Sequence, residues 1–326
     1  MKRVLMTLSC IIVVACGGSE IDRSVLDLKS AEATAHSQPS ARSALFAADA
    51  SHSAQIERLG PVEGVVRAMR GNALYLAAGI DIVQGKQDIR ATLSAAEPNP
   101  SQTSLRRTLA GGDVSTDGRF GFTFGWIEKT TASGGSLLTT YGTYVSTWAR
   151  EDDDPFRVTA YYTRVSLTPH IPTRDGFPLL LGGSGAGGVP HPGSLEKQKR
   201  SLLQTDVEFA AYSVAHGFSP AFPAYAADLV MPFGRNFFFL LGKQEVTDFY
   251  AGGTPDEVLD WTPLFAGSSE SGDLGFTVGK AVDSITNPDG SVDRLYSKYL
   301  TLWARQADGA WRFIADGGAS SPSPGQ

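Results

Sequence analysis

The residues best equipped for chemistry fall in two ten-residue stretches, 141–150 and 296–305. In an extended chain every second side chain shares a face. Tyr144, Ser146, Trp148 and Arg150 then line one face of the first stretch, and Tyr299, Thr301, Trp303 and Arg305 one face of the second. Each stripe offers a phenol that can donate a hydrogen bond and aromatic area that can cover an apolar ligand. The same stripe also suits a core packed by its own Tyr and Trp side chains. Tyr144, Trp148, Tyr299 and Trp303 are therefore candidate ligand-pocket residues with both readings open, and no residue is assigned a catalytic role.

Other chemistry-bearing patterns lose their meaning in context. Residues 183–188 spell GxGxxG after three leucines, yet Val189-Pro190-His191-Pro192 follows where a phosphate-binding helix would have to begin. Residues 182–186 miss the GxSxG elbow because Ala186 holds its last position. His36, His52, His170, His191 and His216 form neither HxH nor HExxH. Glu151-Asp152-Asp153-Asp154 lacks the alternation of a calcium loop and reads as a solvated turn. No metal and no cofactor is expected.

The chain has 326 residues, 42% hydrophobic and 19% charged, so it can build real cores. Its net charge of −6 argues against a nucleic-acid binder, which attaches by neutralising phosphates with Lys and Arg. That charge is uneven: residues 42–168 carry 13 basic and 13 acidic side chains, residues 201–319 carry 7 and 15. The second segment therefore tolerates neutral or cationic ligands and repels anionic ones.

Lys2 and Arg3 precede an apolar run to Ala15 that is too short to span a bilayer, the pattern of a secretory signal peptide. Val13-Val14-Ala15-Cys16 at its end resembles the lipobox of bacterial lipoproteins. That resemblance implies cleavage before Cys16 and a lipid on its thiol, a membrane anchor that needs no spanning helix. Cys10 and Cys16 are the two cysteines, so the processed chain keeps no free thiol. Gly17, where an Asp would resemble an inner-membrane retention signal, points to the outer membrane facing the periplasm. Residues 1–16 form the leader and 17–41 a flexible tether.

The chain also repeats itself. Gly85-Lys86-Gln87-Asp88-Ile89 returns as Gly242-Lys243-Gln244-Glu245-Val246, and at the same spacing Asp49 meets Asp206 and Gly60 meets Gly217. Residues 117–125 match 271–279, and 141–150 match 296–305, each with small shifts that loops absorb. Two domains follow, 42–168 and 201–319, joined by a Gly- and Pro-rich linker at 169–200 and ending in a disordered tail at 320–326. Within the linker, the apolar run 177–181 is expected to lie against one of the domains.

In the second copy the spacing predicts helices over 202–216, 219–227 and 242–250. Short strands are predicted at 229–233 and 237–241, and longer ones at 258–266, 274–284, 292–305 and 310–316. Helices followed by a long antiparallel sheet make an α+β layout, the sheet folding over the helices.

The helix ending at a glycine, the Gly-Lys-Gln-acidic start and the Tyr-x-x-Tyr-x-x-x-Trp-Ala-Arg strand are together similar to the NTF2-like superfamily, in particular its SnoaL-like and DUF4440 group with ketosteroid isomerase. The resemblance implies two tandem cones, each a curved antiparallel sheet wrapped over N-terminal helices around one pocket. It also implies that the two cones pair as an intramolecular pseudo-dimer. It places the isomerase base near Met231 and Leu74 and the helix tyrosine near Ala210 and Ser53, none able to do that chemistry. The third polar position falls at Tyr299 and Tyr144. Isomerase activity by that route is therefore not expected unless Asp228 or Asp81 enters a pocket. The expectation is an envelope lipoprotein whose cone binds a small hydrophobic or neutral molecule; the rivals are an isomerase, cyclase or hydrolase and a structural scaffold.

Overall fold

The computed structural model describes residues 23–152, 154–166, 188–232, 241–253 and 256–324. The leader with Cys16, the apolar run 177–181, His170 and most of the 183–188 pattern lie outside the described residues. The chain divides into a leading unit, Met1–Ser37, and a second, Gln38–Gln326, which holds all that follows.

In the first half, α1 (Arg23–Arg67) breaks its helical backbone at Gly60, whose φ of 82° suits a residue without a Cβ. Its start lies inside the segment 17–41. Then come β1 (Met69–Ala77), β2 (Val83–Gln84), α2 (Lys86–Ala96), β3 (Thr103–Val114), β4 (Phe120–Ser133), β5 (Ser136–Ala149) and β6 (Arg157–Ser166). The second half runs α3 (Leu195–His216), α4 (Phe218–Tyr225), β7 (Ala226–Pro232), β8 (Leu241–Gly242), α5 (Lys243–Tyr250), β9 (Glu257–Ser268), β10 (Leu274–Thr286), β11 (Val292–Arg305) and β12 (Trp311–Ser320).

The two halves build the same α+β unit. Their sheets have the orders β2-β1-β6-β5-β4-β3 and β8-β7-β12-β11-β10-β9. Four long strands pair antiparallel as the sequence predicts, whereas β1 joins β6 and β7 joins β12 in parallel. Between the first strand and the last of each half lie one helix, α2 or α5, and the antiparallel strands that return the chain to the first strand's side. α3 begins seven residues before the predicted start, since Ser194 caps it by accepting from the Lys197 amide, and Gln198 on its inner face is buried. β12 runs past Asp316 through Gly317 and Gly318 because β11 continues beside it.

Each sheet covers its own helices with one face. Leu45, Ile56, Val66, Tyr144 and Trp148 belong to the first such core, and Leu202, Phe209, Phe222, Trp303 and Phe313 to the second. The opposite faces meet in a third core that includes Phe122, Phe124, Val145 and Tyr162 from one sheet and Phe276, Val278, Leu300 and Leu302 from the other. Polar ties border this shared core. Thr116 donates from its amide and hydroxyl to Asp273 Oδ2, and the Ser271 amide donates to Asp117 Oδ2. The buried Lys298 ammonium donates to the Ile80 and Ser320 carbonyls at 2.6 Å each.

Candidate functional site

The two cones differ where their cores are polar. In each, an aspartate from the long helix points at the inner face of the sheet: Asp49 from α1 and Asp206 from α3. The Tyr144 hydroxyl donates to Asp49 Oδ1 at 2.9 Å, and the Tyr299 hydroxyl donates to Asp206 Oδ2 at 2.7 Å. Trp148 Nε1 donates to the Thr123 hydroxyl, which donates on to Asp49; Trp303 Nε1 donates to the matching hydroxyl of Thr277. Both tyrosines fit because a glycine faces each ring. A Cβ on Gly125 would stand 2.8 Å from Tyr144 Cε1, and one on Gly279 would stand 2.5 Å from the Tyr299 hydroxyl.

Around this shared frame the first cone is filled by its own charge. Arg107 of β3, fully buried, donates to Asp49 Oδ2 at 2.6 Å, and its Nη1 bonds to His52 Nδ1 at 2.7 Å. Its guanidinium carbon lies 3.7 Å from the Tyr144 ring centre and 5.3 Å from that of Tyr161. Burial works against the Arg107 charge, but Asp49 and the two phenols hold its pKa above the ordinary value. Burial, aided by the Arg107 charge, depresses His52 to about 3, so its imidazole is neutral. Its Nε2 meets the Val65 carbonyl at 2.9 Å.

The second cone replaces each filling group. β-sheet register equates Arg107, opposite Ile127, with Trp261, opposite Ala281. It equates Tyr161, opposite Ser146, with Asp316, opposite Thr301. On the helix, His52 becomes Phe209 at the Asp49–Asp206 spacing. Trp261 Nε1 takes over the hydrogen bond to aspartate, donating to Asp206 Oδ1 at 2.8 Å. With Ala281 and Asp316 in place of Ile127 and Tyr161, a cavity of about 130 Å³ remains, lined by Asp206, Phe209, Trp261, Tyr299 and Asp316 among others.

Two acidic groups therefore share one aromatic chamber. Burial raises the Asp316 carboxyl to about 7; the Asp206 charge adds to this, while the Thr301 hydroxyl, donating at 2.7 Å, opposes it. Burial also raises Asp206, against the hydrogen bonds from Tyr299, Thr277 and Trp261. At neutral pH Asp316 can thus give or take a proton, a capacity the first cone has no matching group for at Tyr161.

Of the four sequence candidates, Tyr299 lines the cavity. Tyr144, Trp148 and Trp303 are wholly buried in the cores of their cones. The positions aligned with the isomerase base, Met231 and Leu74, lie in the core between the sheets, and Ala210 packs in the second cone's core. Asp228 and Asp81 are exposed and Asp81 is ion-paired with Lys280, so neither enters the cavity. In the acidic turn, Glu151 pairs with Arg70 and Asp152 with Arg119. Among the described residues no three His, Cys, Asp or Glu side chains converge on a common point.

Asp316 is the residue that sequence reading missed. Strict alternation from Trp311 and Phe313 would turn Ala315 inward, but the register slips between Trp303–Phe313 and Leu302–Ala315, a bulge that turns Asp316 to the cone instead. The same slip in β6 brings Tyr161 inward. Asp49 and Asp206 had a visible signal, an acidic pair kept at the repeat spacing between the two helices.

No family model matches the chain, and no curated protein does. Solved structures similar to it include a ketosteroid isomerase-like protein from Erwinia carotovora atroseptica, 12% identical, covering 39% of this chain and 97% of its own with a TM-score of 0.34. An NTF2-like superfamily protein from Salmonella enterica serovar Typhimurium is 11% identical, covering 40% of this chain and 95% of its own with a TM-score of 0.33. An NTF2-like protein with a cystatin-like fold from Novosphingobium aromaticivorans is 12% identical, covering 46% and 92% with a TM-score of 0.32. These three solved proteins are described as NTF2-like or ketosteroid isomerase-like, and each is matched over more than nine-tenths of its own length by less than half of this α+β chain.

Proposed function

We propose that this chain is an envelope lipoprotein, tethered through a lipid on Cys16, whose second cone binds a small molecule while the first cone serves as its fixed partner. The observation that carries the reading is the contrast in filling. One cone is closed by Arg107, His52 and Tyr161, and the other keeps a cavity of about 130 Å³ walled by rings and two carboxyl groups. An aromatic cavity with a few convergent polar groups in one half, when the sister half shows how the same frame is filled, supports the reading of a small binding site. Native mass spectrometry of the protein purified from its own envelope tests this: a retained small molecule is expected, and its persistence in an Asp316→Tyr variant would place it elsewhere. For the anchor, Cys16→Ser is expected to abolish membrane retention after cleavage, read by fractionation; a correctly cleaved variant still bound to membrane would overturn it.

Asp316 favours one further reading, an acid–base enzyme. A carboxyl raised to about 7 in the wall of an aromatic cavity is poised for proton transfer to or from a bound molecule. Exchange of a bound ligand's acidic hydrogens with deuterated solvent, lost in Asp316→Asn, would mark catalysis; binding without exchange would mark a carrier.

A further inference from the structure

We infer that the occupant of the second cone is a small organic cation, its ammonium or guanidinium group seated among Asp206, Asp316 and the rings of Tyr299 and Trp261. The inference rests on the cavity being a ligand site and adds the charge of what fills it.

The first cone supplies the template. There the same aspartate and the same tyrosine hold a cation that the chain itself provides, the Arg107 guanidinium, bonded to Asp49 Oδ2 at 2.6 Å and lying over the Tyr144 ring at 3.7 Å. A ring face and a carboxylate together are a general receptor for such ions. The second cone keeps the aspartate and the tyrosine but puts Trp261 where Arg107 stood. Trp261 adds a second ring, of the type that attracts cations most strongly. Where Tyr161 stood it adds a second carboxyl, Asp316. The receptor is thus more acidic than its sister and still presents two rings, Tyr299 and Trp261, and none of the residues lining the cavity is cationic. Two carboxyl groups facing one cavity without a counter-charge, Asp206 buried and Asp316 half-buried, are costly unless a proton or a cation neutralises them.

The groups facing Asp316 define how pH enters. Asp206 approaches from α3, Tyr299 and Thr301 from β11, and Tyr162 from β6 of the first half. Tyr162 and Arg164 both donate to the Gly318 carbonyl, and neither is part of the cavity wall. A cation entering this chamber displaces the proton from Asp316. Its affinity therefore rises with pH across the neutral range, whereas a neutral molecule accepting a hydrogen bond from the protonated carboxyl binds better as pH falls.

Calorimetric titration of the full chain in detergent with isosteric pairs decides the matter: choline against 3,3-dimethylbutan-1-ol, and methylguanidinium, which copies the Arg107 head, against N-methylurea. At least one cation is expected to bind ten or more times tighter than its neutral partner. That preference should grow from pH 6 to pH 8, collapse in Asp316→Asn, and vanish with all binding in Asp316→Tyr. Ala281→Ile, which restores the first cone's residue, gives a second closed cavity should the tyrosine variant fail to fold. Equal or tighter binding of a neutral member, blocked by Ala281→Ile, would overturn the cationic assignment and leave the ligand-site reading standing. A preference that survives Asp316→Asn would overturn it as well. If neither pair binds at millimolar concentration, both readings fall.

Discussion

The first cone and the second are built on one frame and reach electrical neutrality in different ways. In the first, Asp49 is answered by Arg107, and the ion pair lies wholly out of water. In the second, Asp206 and Asp316 have no cationic partner in the cavity wall and lean on burial-raised pKa values instead. A duplicated core can thus be kept rigid in one copy by an internal charge pair while the other copy leaves the same position open. The cost falls on different residues: the first cone depends on Arg107, and the second on its protons.

That difference sets the largest expected effect. Arg107→Met removes the counter-charge and leaves Asp49 buried and unpaired, which costs about 3–5 kcal/mol. Urea unfolding should show it as a shift in midpoint. In the second cone, Asp316→Asn removes one of two facing carboxyl groups and should leave stability unchanged or raise it. If Arg107→Met proves as mild as Asp316→Asn, the first cone is not held by its ion pair and the contrast fails.

Intermediate in size is the pH response, to which the two cones contribute with opposite signs. The folded-state pKa of Asp316, about 7, lies above the value an unfolded aspartate has. Between those values the folded chain binds more protons than the unfolded one, so stability falls as pH rises through that window. Asp206, also raised, adds with the same sign. His52 is depressed to about 3, below its unfolded value, so the folded chain binds fewer protons there and stability grows as pH rises toward the ordinary His range. Thermal melts from pH 4 to pH 8 should separate the two: Asp316→Asn flattens the decline, and His52→Gln removes the opposing gain. A decline untouched by Asp316→Asn would assign the titration to another group.

Much of this architecture is legible in the sequence because it rests on repetition and period. The glycines that end and begin helices, the alternating Tyr-Ser-Trp and Tyr-Thr-Trp strands and the matched 85–89 and 242–246 segments specify elements that the fold contains, with the start of α3 the main displaced limit. The site was less legible for two physical reasons. A β-bulge shifts the inward face by one residue, so period two points at Ala315 and hides Asp316. The filling of a cone also depends on pairs from different strands, such as Arg107 with Tyr161 or Trp261 with Asp316, whose meeting no local pattern encodes. The parallel pairing of β1 with β6 and of β7 with β12 is hidden for the same reason, since it joins the first strand of each half to the last.

The smallest effect separates two tyrosines in the same position. Tyr144 and Tyr299 each donate to the helix aspartate, at 2.9 Å and 2.7 Å. Tyr144→Phe takes a donor from a carboxylate that is ion-paired with Arg107, so the loss is that of a hydrogen bond to a charged group, about 1.5–3 kcal/mol. Tyr299→Phe takes a donor from an aspartate that can answer by holding a proton, which trims the loss toward that of a neutral bond, about 1 kcal/mol. The same change should move the pH response, because Asp206 without Tyr299 is pushed further up and titrates later. A double-mutant cycle with Asp49→Asn and Asp206→Asn isolates each bond from its surroundings. A coupling energy larger at Tyr299 than at Tyr144 would mean that Asp206 is the more firmly ionised of the two, and that the second cone's spare negative charge is permanent rather than proton-held.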